Sequence, residues 1–290
     1  MEPRELFDRI RLARDDVPSM VWVGRDISWT GTELVGQAGR LAAHLLGSGL
    51  SPGDRVLVCG RSGPLHAVAI LGAWMAGCVP ALVDVGRVDT LERYLADASP
   101  RVVIHDDACA AVLTAPGARS GIDHTIEFAE LVDMVTRPTS APLTNPPTLD
   151  EPGLWTYPKL PPALVRTHEE LSHGAREARS HLALSSSDRV FVGAPLWSTH
   201  GVVTGLLASA QGGAQVHIGS DGGGTWDLAD RSDASVLVLS ARQAIDLAGE
   251  VSARDRLPGI VTRVAVDSSV PAETAAPFGR YGATVIPVGL

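Results

Sequence analysis

Between Arg55 and Val83 the chain spells out a strand, a helix and a second strand with almost no polar interruption. Arg55-Val56-Leu57-Val58-Cys59 is a short run rich in β-branched residues. Pro64 to Met75 is too densely apolar for an exposed helix, and Gly77 stops it ahead of Val79-Pro80-Ala81-Leu82-Val83. Two strands apolar on both faces and joined through a helix make a βαβ unit, which demands parallel pairing with helices covering the sheet. Ala67 to Val83 carries no charge and is long enough to raise the question of a membrane span. Gly72, Gly77 and Pro80 interrupt it, so it reads as a buried helix, a glycine stop and a buried strand in a soluble protein.

The same rhythm runs through the chain. A short helix is expected near the N-terminus, then strands Met20–Val23 and Ile27–Trp29 around a Gly24-Arg25-Asp26 turn. Leu34, Ala38, Leu41, Ala42 and Leu45 recur at helical spacing until Gly47 and Gly49. Asp89 with Glu92 predicts a capping box for a helix to about Ala98, and residues 101–105 form a strand. Residues 107–135 are mixed. From Thr136 to Gly153 five prolines fall among Thr, Ser and Asn, which marks a linker.

Beyond it, Thr167 with Glu170 caps a helix, and strands are expected at 189–193, 215–218, 236–239, 261–266 and 284–288. Helices are expected at 200–211, after the Ser240–Gln243 capping box, and at 271–281. The fold class is therefore α/β: two βα lobes, 1–150 with the Pro-rich linker at its end and 151–290, each with a mainly parallel sheet sandwiched by helices.

A net charge of −9 argues against nucleic acid or an anionic membrane as partner, since both require a basic face. Cys59, Cys78 and Cys109 lie in apolar contexts without metal spacing, which predicts free thiols in a reducing cytoplasm. His173 and His181 are two helical turns apart, which is not a ligand spacing, and no metal site is expected.

The stretch from Leu154 to His168 is the most informative for function. A loop between a strand and a helix is where glycine N–H groups and a lysine cradle phosphate. This loop has no glycine, Pro161 and Pro162 supply no N–H, and Lys159, the one lysine of the chain, is an isolated point charge.

Four phrases carry a resemblance. They are Ile27-Ser28-Trp29-Thr30-Gly31-Thr32-Glu33-Leu34, Gly49-Leu50-Ser51-Pro52-Gly53-Asp54-Arg55-Val56, Trp74-Met75-Ala76-Gly77-Cys78-Val79-Pro80-Ala81-Leu82-Val83-Asp84, and Pro195-Leu196-Trp197-Ser198-Thr199-His200-Gly201. In this order and spacing they resemble the N-terminal domain of the adenylate-forming superfamily, which contains acyl-CoA synthetases, adenylation domains of nonribosomal peptide synthetases, and luciferases. The resemblance implies that residues 156–163 stand where the family has its phosphate loop ending in Pro-Lys-Gly. Aligned without a gap, the proline falls on Pro161, the lysine on Pro162 and the last glycine on Ala163. The loop glycines fall on Thr156 and Lys159, with Tyr157 between them. The sequence ends at Val288-Gly289-Leu290, where the family begins its Gly-Tyr-Gly-x-Thr-Glu segment. The resemblance thus implies that the magnesium glutamate, the ribose aspartate and the C-terminal domain with its lysine are lacking.

No cofactor is expected, and binding of ATP and magnesium is expected to be lost. Trp197, Ser198, His200 and Gly201 match the segment beside the family's acyl pocket, although the histidine common two positions before His200 is Ser198. For His200 a half-buried residue at a helix start stands beside the ligand reading, and for Trp197 a core role stands beside it. Gly219 to Thr225 lacks the lysine of a phosphate loop and reads as a surface loop, and Ser269 with Pro271 reads as a helix start. The GxSxG spelling at Gly49-Leu50-Ser51-Pro52-Gly53 falls in the turn into the strand from Arg55, not on a strand-to-helix elbow.

Three functions follow. The first is a degenerate, non-adenylating protein that binds an acyl or acyl-CoA-like ligand, a carrier protein or a partner ligase. The second is a repurposed ATP-independent enzyme using the acyl cleft, with His200, Ser198 and Asp84 as the groups to test. The third is one part of a split ligase.

Overall fold

The computed structural model describes residues 5–6, 19–23, 27–114, 121–136, 147–219 and 224–289. The expected N-terminal helix, the Gly24–Asp26 turn, most of the linker and most of the 219–225 loop lie outside these residues. The chain divides into two compact units.

The first unit is built chiefly from Thr32–Arg61 and Leu65–Leu171. Its sheet comprises β3 (Arg55–Cys59), β4 (Val79–Val83), β5 (Val102–His105), β6 (His124–Glu127), β7 (Pro152–Thr156) and β8 (Leu164–Thr167), in the order β6-β5-β3-β4-β7-β8. All neighbours are parallel except β7 and β8. The run Ala67–Val83 is buried throughout, as expected, as helix Pro64–Met75 followed by β4. Gly77, at φ 74°, ends that helix: its N–H reaches Trp74 O at 3.0 Å, and the Cys78 N–H reaches Ala73 O at 2.8 Å. This is a Schellman closure, and it needs the left-handed conformation that glycine adopts without cost. Gly72 lets the helix lie against Leu41 of helix Gly31–Gly47, since a Cβ there would come within 2.7 Å of the leucine.

The second unit contains Ser172–Leu290, the hairpin of β1 (Met20–Val23) and β2 (Ile27–Trp29), and Ser62–Pro64. Its sheet adds β9 (Arg189–Val192), β10 (Gln215–Gly219), β11 (Val236–Leu239), β12 (Arg263–Asp267) and β13 (Thr284–Val288), ordered β13-β12-β11-β9-β10-β1-β2. Only β1–β2 is antiparallel. Phe191, Trp226, Leu237, Leu247, Val264 and Phe278 are among the side chains packed into its core.

Several expectations are corrected. Residues 152–167 pair with the first sheet and residues 20–29 with the second, so the division falls after Leu171 rather than at 150. Local composition marks a linker but cannot reveal strand pairing. The Asp89–Glu92 capping box does not form. A 3-10 turn, Val85–Thr90, runs directly into helix Leu91–Ala98, and the hydroxyl of its cap residue Thr90 donates back to Arg87 O at 3.0 Å instead of capping the helix. Asp84 instead accepts the N–H of Gly86 at 2.8 Å. The helix expected at 200–211 is a π-helical stretch, Gly201–Leu207, followed by Ala208–Gly212. The Thr167–Glu170 box does form: Thr167 N–H donates to the glutamate at 2.8 Å, and Glu170 N–H to the threonine hydroxyl at 3.2 Å.

Candidate functional site

The segment that the resemblance sets at the phosphate-loop position is a hairpin connection between β7 and β8, not the strand-to-helix loop its sequence suggests. Thr156 ends β7 and is buried. Tyr157 is buried against Tyr94, with ring centroids 4.9 Å apart in an edge-on contact. Lys159, Leu160 and Pro162 are exposed, while Pro161 and Ala163 are half-buried.

What holds this hairpin is Asp97, in the last turn of helix Leu91–Ala98. Its Oδ2 accepts the Tyr157 hydroxyl at 3.0 Å and the Ala163 backbone N–H at 3.2 Å. Burial and then the Asp97 carboxylate push the Tyr157 phenol well above its ordinary value, so it remains a donor. Arg87 completes the clamp, donating to Pro158 O at 3.1 Å and to the Tyr94 hydroxyl at 3.2 Å. The Ala163 amide, which the resemblance sets at the family's final loop glycine, is therefore already bonded, and to an anion. A triphosphate placed there would meet a carboxylate where it needs free N–H donors. The residues present do not fit that group. Sequence reasoning passed over Asp97 and Arg87. One signal was available, since an acid in the last turn opposes the helix dipole and calls for another reason to be there.

In the second unit the chain leaves β9 on one side for β10 and returns on the other to β11. The β9–β11 junction is thus the topological switch point, the place where open α/β sheets take ligands at their carboxyl ends. The loop from Gly193 to His200 stands there. Gly193 N–H and Ala194 N–H both donate to Val238 O, at 2.9 and 2.8 Å, and Gln243 Nε2 donates to Gly193 O at 2.7 Å. Leu196 N–H donates to Ser62 Oγ at 2.8 Å. The Ser198 hydroxyl donates to Pro195 O at 2.7 Å and accepts the Gly201 N–H at 3.0 Å, which makes it a local cap rather than a free nucleophile. Gly201 is obligatory, because a Cβ would sit 2.2 Å from Pro195 O.

His200 is 6% exposed. Its Nδ1 lies 3.2 Å from Thr204 Oγ1, while Nε2 is buried without a hydrogen-bond partner. Burial lowers its pKa, opposed by the Asp267 carboxylate and by the carbonyls of Leu239 and Ala265, and the imidazole is neutral. Asp267 accepts the Ser269 N–H at 2.8 Å, and despite partial burial the bonds from Ser269 hold it below the usual carboxylate range. The predicted quartet is thus placed together, with Trp197 and Ser198 half-buried and His200 and Gly201 buried. Asp267, at the end of β12, acts on His200 electrostatically, a proximity that sequence spacing cannot reveal. Asp84, proposed beside them, belongs to the first unit and caps its own turn.

Two α/β units of this order, with this loop position and switch point, define an adenylate-forming ligase-like N-terminal domain. The sequence profile of the AMP-binding enzyme family matches residues 7–156, and the chain belongs to that family. Benzoate–CoA ligase of Thauera aromatica is 28% identical over 196 residues, covering 62% of this chain and 37% of the relative. The L-proline–[L-prolyl-carrier protein] ligase of Streptomyces coelicolor is 37% identical over 109 residues, covering 36% of this chain and 20% of the relative. The chain thus spans well under half the length of these relatives. The crystal structure of the N-terminal domain of FACL13 from Mycobacterium tuberculosis superposes with a TM-score of 0.81 at 17% identity, covering all of this chain and 76% of that one. No helix among the described residues is long and apolar enough to cross a membrane.

Proposed function

We infer that this chain is a degenerate adenylate-forming protein: it does not activate carboxylates with ATP and serves as a binding or partner protein. The observation that carries this reading is the bond from Ala163 N–H to Asp97. Adenylation needs donors aimed at the triphosphate, and losing one well-placed donor costs an enzyme about 2–4 kcal/mol of barrier. Here the segment has no glycine, three of the eight positions from Thr156 to Ala163 are proline, and the amide at its end faces a carboxylate. Binding of ATP and magnesium is accordingly lost. The names of the relatives, ligases acting on coenzyme A or carrier-protein substrates, support an acyl or acyl-CoA-like ligand, a carrier protein or a biosynthetic ligase as partner.

A second reading, ATP-independent chemistry on a thioester or carboxylate, is favoured by one observation. The buried, neutral His200 has a ring nitrogen without a partner beside Asp267. Ser198, bonded into its own turn, does not support a nucleophile role.

ATP–pyrophosphate exchange across fatty, aryl and amino acids, with thermal shift against ATP, coenzyme A and acyl-CoA esters, tests both readings. The expected result is no acid-dependent exchange and no shift with ATP, with stabilisation by an acyl ester if the acyl cleft is in use. Exchange above an unrelated protein control would overturn the first reading. Turnover of an acyl-CoA without ATP, abolished by His200→Ala, would select the second.

A further inference from the structure

At the carboxyl end of the first sheet two cysteines meet. Cys59 is the last residue of β3, and Cys109 closes the 3-10 turn Asp107–Cys109 that follows β5. These strands are neighbours, and the chain leaves β3 on one side for β4 before returning on the other to β5. The pair therefore marks the switch point of this sheet. Their Sγ atoms lie 3.3 Å apart, both residues are fully buried, and neither is in a disulfide. Backbone bonds already draw the two segments together. Asp106 N–H donates to Cys59 O at 3.1 Å, Cys109 N–H to Asp106 O at 3.0 Å, and Arg61 N–H to Asp106 Oδ2 at 2.6 Å. A core position asks only for a small apolar side chain, and alanine or valine would fill it without placing two sulfurs in contact.

We propose that Cys59 and Cys109 are a disulfide-forming pair, a redox-operated lock on the loop after β3 and the turn after β5. The oxidant is hydrogen peroxide. The Cys109 thiolate attacks the peroxide, the O–O bond breaks, and the sulfur becomes a sulfenic acid while hydroxide leaves and takes a proton to form water. The Cys59 sulfur then attacks the sulfenic sulfur, the S–O bond breaks, and a second water leaves with the Cys59 proton. Two thiols lose two electrons and the peroxide gains them.

The order of events follows from the surroundings. Cys109 pushes the Cys59 thiol up, with burial adding to the effect, whereas the Cys59 side chain stabilises a thiolate on Cys109 and lowers it. Both sulfurs lie in the buried cluster of the first unit, so oxidation proceeds through a local opening at the 3-10 turn, where Asp107 and Ala108 next to Cys109 are exposed. Local openings of short elements cost less than global unfolding. Cys78 supplies an internal comparison. It is also buried, its Sγ faces the carbonyl oxygens of Ser51 and Ala76, and burial pushes its thiol up to about 12.

The test is hydrogen peroxide treatment of the intact protein, followed by alkylation under denaturing conditions and mass spectrometry. The wild type should lose two hydrogens, keep one alkylatable thiol at Cys78, and yield a cross-linked peptide joining Cys59 to Cys109. Cys59 and Cys109 should be consumed about ten-fold faster than Cys78, since susceptibility follows thiolate character and access. Cys59→Ser should instead leave a dimedone-reactive sulfenic acid on Cys109, and Cys78→Ser should leave the cross-link intact. Hydrogen exchange should slow in the oxidised protein at residues 59–61 and 106–113. Equal loss of all three thiols, or over-oxidation of Cys109 without a cross-link, would overturn the proposal. So would absence of the cross-link both in buffer and in urea below the unfolding transition. None of these outcomes depends on whether the chain binds ATP or acyl ligands.

Discussion

The carboxylate of Asp97 accepts the backbone N–H of Ala163 at 3.2 Å, across 66 residues of sequence. The same oxygen accepts the Tyr157 hydroxyl, so one side chain fastens both ends of the connection between β7 and β8. Replacing Asp97 with alanine strands an amide and a part-buried phenol. Leaving such donors unsatisfied costs about 1–3 kcal/mol. The expected loss of unfolding free energy is in that range, read by urea denaturation. Combined with Tyr157→Phe, the two changes should couple by about 0.5–1 kcal/mol rather than add. Strict additivity would show that the Asp97 carboxylate and the Tyr157 hydroxyl act independently.

Gly201 opens the π-helical stretch so close to Pro195 that no Cβ fits, and the obstacle is backbone oxygen rather than a yielding side chain. Gly201→Ala should therefore destabilise by about 1–3 kcal/mol, as overpacking does. Gly205→Ala meets the Val192 side chain at 2.6 Å and should cost less, because a side chain can shift where the backbone at Pro195 cannot. The two unfolding midpoints, compared side by side, decide this order.

His66 is fully buried on the helix after β3, stacked against Phe128 at 6.1 Å, with neither ring nitrogen hydrogen-bonded. Burial lowers its pKa from 6.5 to about 4. A folded pKa below the unfolded one means that the unfolded chain takes up the proton first. Stability is then full above pH 6.5 and falls as the pH drops from 6.5 towards 4. His168 and His217, each also lowered to about 4 chiefly by burial, act in the same direction. For His66→Leu about 2 kcal/mol of the loss between neutral pH and pH 5 should disappear. Urea titrations at both pH values measure it, and an unchanged pH dependence would mean that the ring is solvated.

Thr204 Oγ1 bonds His200 Nδ1 within a fully buried stretch. His200→Leu alone should cost about 1–3 kcal/mol by stranding the hydroxyl, while His200→Leu with Thr204→Val should recover most of it. Recovery of stability together with loss of any acyl-ester thermal shift would assign the ring to ligand rather than to the core.

The order of strands and helices was legible because each element carries its own local signal. Apolar runs of four or five residues gave the strands Arg55–Cys59, Val79–Val83 and Val236–Leu239, and reciprocal capping residues gave the starts at Thr167 and Ser240. The absence of glycine from residues 154–168 was equally legible, since it concerns which atoms a residue possesses. Strand pairing decided the rest. That β7 and β8 complete the first sheet and that the β1–β2 hairpin joins the second depends on hydrogen bonds between segments far apart in sequence. The partners of the functional positions are non-local in the same way. Asp97 finds Ala163, Asp267 stands near His200, and Cys59 meets Cys109 only after crossover connections bring the carboxyl ends of separate strands side by side. A sequence states the donors and acceptors a chain owns, and the packing of its sheets chooses which of them meet.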